Sequence, residues 1–200
     1  MIGDHIADWD RWFPALADAF PWDVTSRLEA HVAAALGSLG PEYALAGTVA
    51  VHRLATVEPG AVVKGPAIIG PGCFVAATAY LRGGVWLLEG AIVGPAAELK
   101  SSVMGPGSKL AHLNFVGDSL LGAGVNIEAG AMVANYRNER ADKRIRIALD
   151  GRVIDTGVDK FGALLGDGVR IGANAVVAPG AVLAPGTRVG RLQLVDQSAD

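Results

Sequence analysis

The sequence predicts an all-β fold, a parallel β solenoid whose short strands wind into a three-sided prism, and three observations carry this. The branched aliphatics Val51, Val57, Val63, Ile69, Val75, Leu81, Leu87, Val93 and Leu99 recur at every sixth residue without a miss. From Ala55 onward a smaller residue stands two places before each: Ala55, Ala61, Ala67, Cys73, Ala79, Val85, Ala91 and Ala97. That spacing puts both side chains on one face of a short strand. Turn pairs keep the same beat, at Pro59-Gly60, Gly65-Pro66, Pro71-Gly72, Gly83-Gly84 and Gly94-Pro95. Amphipathic helices do not hold a period of six, and hairpin sheets do not hold it for so long. Three sides of six residues give about 18 residues per coil, and coils stack about 4.8 Å apart as parallel strands do.

In chain order, residues 1–44 stand apart. Three of the four tryptophans, Trp9, Trp12 and Trp22, lie here with Phe13 and Phe20. This composition reads as a helical cap packed on the end of the repeat core, or as a docking surface for another subunit or catalytic domain. Ser26 to Leu36 reads as a helix. Ser26 and Glu29 have capping-box spacing, Leu28, Val32 and Leu36 share a face, and Gly37 offers a C-cap. Residues 45–192 form the solenoid. Its beat slips by one residue after Leu99, to Met104 and Leu110, and returns at Leu121, Ile127 and Val133. A third block runs Leu165, Ile171, Val177, Leu183, Val189. Between them, the insertion 137–160 holds seven of the 17 Lys and Arg residues. It reads as a solvated loop or hairpin, or as a basic cover over a phosphate ligand. Residues 193–200 read as a short polar tail.

Composition excludes several classes. With 200 residues the chain holds one sizeable core and little more. A net charge of −3 supplies no global field for nucleic acid or an acidic membrane. The single cysteine, Cys73, rules out an internal disulfide framework and fits a reducing compartment. It falls in the small inward column and reads as inert core. No basic, apolar leader opens the chain and no apolar run is long enough to span a bilayer, so a soluble, cytoplasmic protein is expected.

Repeat geometry also arranges charge. Lys64, Arg82 and Lys100 each follow an inward aliphatic and therefore point outward. They lie 18 residues apart in turn, which makes them a ladder of cations suited to a dianion bridging two rungs. His112 sits in SKLAHLNFVGD, just after the slip, where a distorted corner re-aims a side chain. An imidazole ordinarily titrates near about pH 6.5 and is the natural general base at neutral pH. Glu98, about one coil earlier, is placed to orient it. A zinc site needs three converging histidines. His52 and His112 are 60 residues apart, more than three coils, and cannot share a metal within one chain. No metal is expected.

The stretch GSKLAHLNFVGDSLLGAGVNIEAGAMVANY, with LRGG, LLEG and ELKSS upstream, resembles the hexapeptide-repeat acyltransferases. In particular it resembles the C-terminal acetyltransferase domain of the bifunctional enzymes that make UDP-N-acetylglucosamine. The segment after Tyr136 looks more like archaeal sugar-1-phosphate nucleotidylyltransferase relatives, which carry a longer insertion there. The resemblance implies a left-handed β-helix, a homotrimer with sites between neighbouring solenoids, and acetyl transfer from acetyl-CoA to the amine of glucosamine 1-phosphate. It casts His112 as the base, Arg82 and Lys100 as phosphate binders, and Asn126 as a sugar contact. Asn135 and Tyr136 then border sugar and acyl donor, and the Ala129 backbone meets the CoA arm. Small residues around Gly130 let that arm lie close, and a backbone N–H near Gly130 or Asn135 stabilises the oxyanion.

The sequence also departs from that pattern. Phe115 replaces a tyrosine, and Ala173 stands where a CoA-contacting serine is common. The lysine that follows the Asn-Tyr pair falls at Lys143. The first 45 residues hold no glycine-rich nucleotidyltransferase loop, so this chain is not expected to make a nucleotide sugar by itself. The competing expectation is a non-catalytic trimeric scaffold, or a sugar-nucleotide-binding subunit that partners a separate nucleotidyltransferase.

Overall fold

The computed structural model describes residues 1–149 and 151–198. They form a left-handed parallel β-helix with a helical segment at its N-terminal end. The period-six aliphatics and the small residues before them make one continuous interior, from Val49 to Val195. The prism has three flat sides. Side two is a seven-stranded parallel sheet running from Thr56–Val57 through Asn126–Ile127 to Arg188–Val189. Side three runs from Val62–Val63 through Phe115–Gly117 to Leu194–Val195. Side one runs from Val49–His52 through Leu120–Leu121 to Ala181–Leu183. The long strands Tyr80–Leu87 and Glu98–Met104 turn the corner from side three to side one and join the two into one 13-stranded sheet.

The slip after Leu99 has a local cause. Arg82 pairs with Lys100 and Val85 with Ser102, so the corner Gly83-Gly84 is matched on the next coil by Ser101 alone. Ser101 takes a left-handed conformation to close the shorter corner. Serine hydroxyls then tie the shortened corners together. Ser102 Oγ accepts from Ser119 N, and Ser119 Oγ accepts from Ala163 N, both at 3.0 Å.

The N-terminal segment does not sit on the end of the core as expected. It lies along side one. The outward residues there are apolar and in register: Ala50, Ile68, Trp86, Val103, Leu120, Leu164 and Val182. Helices α1 (Trp9–Trp12), α2 (Pro21–Ser26) and α3 (Leu28–Ala35) cover this column. Phe13 meets Trp86 edge-on at 4.9 Å, and Trp22 meets Phe161 at 5.9 Å. Trp9 is fully buried. An aromatic of this size buries roughly 150–250 Å², an upper stabilisation of about 4–6 kcal/mol. The expected helix boundaries also shift. Pro21 starts α2 with its fixed φ, which makes Ser26 the last residue of that helix, its hydroxyl on the Asp23 carbonyl. α3 starts at Leu28 with no side-chain cap, and Gly37 lies inside a 3₁₀ turn, Leu36–Ser38.

The two ends also differ from expectation. Strand Tyr43–Ala46 pairs antiparallel with Val49–His52 and closes the first coil. The beat does not stop at Val189. Leu194–Val195 is a last strand of side three, paired with Val176–Val177. Asp196 then binds Arg137, and Gln197 accepts from Val182 N. Residues 199 and 200 of the expected tail lie outside the described residues.

Two expectations follow. A Cβ added at Gly84 would stand 2.6 Å from Glu29 N, and the residue has φ +84°. Gly84→Ala should therefore lower stability by about 2–4 kcal/mol, from left-handed strain plus overpacking. It should also free the N-terminal segment for proteolysis before the solenoid; unaltered denaturation and protease resistance would count against this packing. The Cys73 thiol is pushed up to about 11, chiefly by burial. Its contribution to stability is complete below the free thiol's value of about 8.5 and is lost as pH rises toward 11. Native protein at pH 8 should resist a thiol reagent that labels the unfolded chain at once.

Candidate functional site

Two corners of the prism carry the residues singled out above. At the corner leaving side three, Arg82 and Lys100 are Cα partners on adjacent coils, as the ladder requires. Lys64 is exposed at the rung before them. Its Nζ lies 5.3 Å from the Tyr80 ring, with the Arg82 guanidinium 5.8 Å from the same ring.

The two central rungs are not bare cations. Arg82 Nη2 lies 2.6 Å from Glu98 Oε1, and its Nε donates to the same oxygen at 2.8 Å. Lys100 Nζ donates to both Asp118 oxygens at 2.8 Å and to Ser101 Oγ at 3.2 Å. Asn135 Nδ2 donates to the same Asp118 carboxylate. The Lys100 and Asp118 side chains are only 17 % and 6 % exposed, so the pair is largely withdrawn from solvent.

A cavity of about 430 Å³ opens beside this pair. Its walls come from three distant stretches of chain: Ser26 and Glu29 of the helical segment, Gly83 and Ser101 of the corner, and Asp159 and Lys160 at the end of the insertion. Most of the insertion does not cover this space. It forms an antiparallel hairpin, Arg146–Leu149 with Arg152–Asp155, and its buried Ile145 and Ile147 pack into the apolar layer on side one. Its cations largely serve the fold. Arg137 is buried, 2.6 Å from Asp196, and donates to the Pro179 carbonyl at 3.0 Å. That guanidinium, more than any other cause, holds the Asp196 carboxyl well below its usual range. Arg144 and Arg146 pair with Asp155 and Asp142.

The second corner lies between sides two and three. His112 is exposed there, with no side-chain partner among the described residues. The next residue, Leu113, has φ +57°, the distortion expected at this corner. One coil on, Gly130 N–H donates to the His112 carbonyl at 3.0 Å. That donor is therefore committed and not free for an oxyanion. Ala129 and Ala173 follow in the same column, since Asn174 N–H donates to the Ala129 carbonyl. At Ala173 the backbone N–H donates to Glu128 Oε2 at 2.9 Å, and the same oxygen accepts from Arg191 Nε at 3.0 Å. Arg191 first, then Ala173, lowers the Glu128 carboxyl below its usual range.

Several expected placements change. Glu98 is bound to Arg82, so its carboxylate is not the orienting partner of His112. Phe115 and Glu98 are register partners on side three, between the two corners. Asn126 is on side two, between Lys109 and Arg170, away from both phosphate-binding candidates. Asn135 stands at the cation corner, while Tyr136 is exposed with Lys143 Nζ 5.4 Å from its ring. Lys160, not Lys143, shares the cavity with Lys100. The candidates thus divide. Arg82, Lys100 and Asn135 hold one corner, with Tyr136 following, and His112, Ala129, Gly130 and Ala173 hold the other.

Sequence reasoning missed Asp118, Lys160 and Glu29. Asp118 carried a signal, because it stands 18 residues after Lys100. Lys160 and Glu29 carried none, because neither belongs to a strand of the repeat. Among the described residues no group of three His, Cys, Asp or Glu side chains gathers to hold a metal, and no helix is long and apolar enough to cross a membrane.

Comparison with known proteins finds relatives of the same kind. Residues 45–146 match the family described as the GMPPB C-terminal domain. The chain is 34 % identical over 154 residues to the bifunctional sugar-1-phosphate nucleotidylyltransferase/acetyltransferase of Sulfurisphaera tokodaii, covering 77 % of this chain and 38 % of that protein. It is 31 % identical over 184 residues to the bifunctional protein GlmU of Methanococcus maripaludis, covering 90 % of this chain and 44 % of that protein. The chain thus spans less than half the length of either curated relative. The acetyltransferase domain of PglB from Neisseria gonorrhoeae superposes with a TM-score of 0.45 at 20 % identity, over 83 % of this chain and 63 % of that one.

The cation corner makes its own expectation. Asp118→Ala removes the carboxylate paired with Lys100, whose side chain is largely withdrawn from solvent. Breaking such a pair costs about 3–5 kcal/mol, and the Ser101 hydroxyl should hold the loss near the lower end. In chemical denaturation the Lys100→Ala/Asp118→Ala double variant should lose clearly less than the two single losses combined; strict additivity would show the pair to be uncoupled.

Proposed function

Since the chain belongs to the GMPPB C-terminal domain family, whose match spans half of it, we propose that it is an acyltransferase that moves acetyl from acetyl-CoA to the amine of an amino-sugar phosphate of the glucosamine 1-phosphate type. One observation carries this reading. Among the described residues His112 is exposed and without a side-chain partner at one edge of side three, at the head of a column of small residues, while Arg82 and Lys100 stand at the opposite edge. From His112 to Gly117, the register partner of Lys100, is five residues, at most about 17 Å of chain.

In this reading the phosphate binds Arg82, Lys100 and Lys160, and the sugar lies across side three over Phe115. The substrate ammonium meets His112 Nε2 or Nδ1, which takes its proton so that the nitrogen lone pair can attack the thioester carbonyl. The thiolate of the donor leaves, and the imidazolium returns the proton. Ala129 and Ala173 let the donor's arm lie against backbone. In this reading the site lies between neighbouring copies, as the resemblance implies. The exposed run of register partners Met132, Val176 and Leu194 on side three, the last 64 % exposed, supports the expected homotrimer.

A second reading, a scaffold or sugar-nucleotide-binding subunit without turnover, is favoured by the closed ion pairs on both central rungs and by Phe115 in place of a hydroxyl. The two readings separate in an assay of thiol release from acetyl-CoA with glucosamine 1-phosphate. Wild type should turn over, and His112→Ala should lower kcat by about 10²–10⁴-fold while KM for the sugar phosphate changes little. Saturable binding of both ligands with no thiol release would favour the scaffold, and equal turnover by His112→Ala would remove the base.

A further inference from the structure

Side two carries a row of cations that the site above leaves unused. Its outward residues are register partners from coil to coil: Lys109 with Asn126, Asn126 with Arg170, Arg170 with Arg188. Lys109, Arg170 and Arg188 are exposed, and none has a hydrogen-bond or ion-pair partner among the described residues. This contrasts with Arg82 and Lys100, each closed by a carboxylate. Arg170 and Arg188 stand on adjacent coils, about 5 Å apart at the backbone. Two guanidiniums rising from adjacent coils, with no acid partner among the described residues, can converge as a fork on phosphate oxygens.

The row has a defined relation to His112. Three residues further along each coil is the corner column His112, Ala129, Ala173, Arg191. Its steps are fixed by hydrogen bonds of 3.0 Å, from Gly130 N to His112 O, Asn174 N to Ala129 O and Leu192 N to Ala173 O. Three coil steps put Arg191 about 14 Å from His112 along the axis. Arg170 and Arg188 flank the far end of this column. Among the described residues Glu128 is the one acid beside it, and its carboxylate is occupied by Arg191 and Ala173 N–H. A thioester on a phosphopantetheine arm has about a dozen bonds between sulfur and first phosphate, an extended length of roughly 15 Å. The small-residue column is therefore as long as the arm, with a base at one end and open cations at the other.

We infer that Arg170 and Arg188, next to Arg191, form a clamp for the phosphate groups of a nucleotide-bearing acyl donor, so that the protein selects thioesters by the handle they carry. The clamp deepens the acetyl-CoA reading and rests on it for the identity of the reactive end. Arg170 and Arg188 are specificity residues, too far from His112 to touch the reacting atoms.

The test measures binding of CoA, 3′-dephospho-CoA and pantetheine by calorimetry to wild type and to Arg170→Gln/Arg188→Gln, alongside acetyl transfer. Both substitutions are on exposed side chains, and circular dichroism checks that the variant is folded. Wild type should bind CoA more tightly than pantetheine, with an affinity that falls as salt rises. The double variant should lose about tenfold or more of CoA affinity and bind pantetheine unchanged. Equal CoA binding by the two proteins, no CoA binding by wild type, or equal affinity for CoA and pantetheine would overturn the clamp. Handle-dependent binding without acetyl transfer would leave the clamp standing and sink the acetyltransferase reading. Transfer with CoA affinity indifferent to the two arginines would do the reverse.

Discussion

The interior of the coil governs everything outside it. Nearly every side admits one aliphatic and one smaller residue, and the fully buried column from Ile69 to Ile171 leaves no slack. Once those side chains point in, their neighbours must point out, and their companions are the residues one coil away rather than those nearby in sequence. Arg82 therefore meets Lys100 across a full coil. His112 and Asn126, closer together in sequence, belong to a corner and to the middle of side two.

The same rule shows how far the fold was legible. The inward beat is plain because it repeats on all three sides. The outward apolar column on side one was equally present in the sequence, since Ile68, Trp86, Val103 and Leu120 each precede an inward aliphatic. It repeats only once per coil, so a search for period six passes over it. Placing it would have put the N-terminal helices along that side, because an apolar outer face needs a cover. Local signals misled at Ser26, where the capping-box spacing was real but Pro21 had already begun a helix.

Legibility of the site followed register. Arg82 and Lys100 were read correctly as neighbours because they precede the slip. Asn126 follows it, and the shortened corner at Ser101 changes the count needed to name its side. Glu98 was assigned to His112 by distance along the chain, whereas its carboxylate turns back to Arg82 on the preceding coil. Lys160 was out of reach for another reason: an insertion between Tyr136 and Leu165 erases the count, and only the resumed beat at Leu165 fixes where the chain re-enters. Sequence alone thus located Arg82 and Lys100, and the coordinates showed that Glu98 and Asp118 hold them.

Those acids divide the surface into two electrostatic regimes. At the Lys100 corner, Asp118, itself held by the Asn135 amide, fixes the ammonium in place and offsets its charge, so a phosphate arriving there must compete with a carboxylate already 2.8 Å away. Such a site attracts weakly at a distance and discriminates strongly on contact, because only a ligand that matches the fixed geometry gains more than the displaced pair loses. Side two is the opposite. Arg170 and Arg188 have no acid partner among the described residues, and their attraction reaches about a Debye length, roughly 8 Å at physiological salt. For a donor with several phosphates and an acceptor with one, this division has a consequence. On the proposed reading, the highly charged donor would be drawn to the open row, and the singly phosphorylated acceptor would be sorted by the closed pair. A chain of net charge −3 gains both properties by where it places its acids rather than by how many cations it carries.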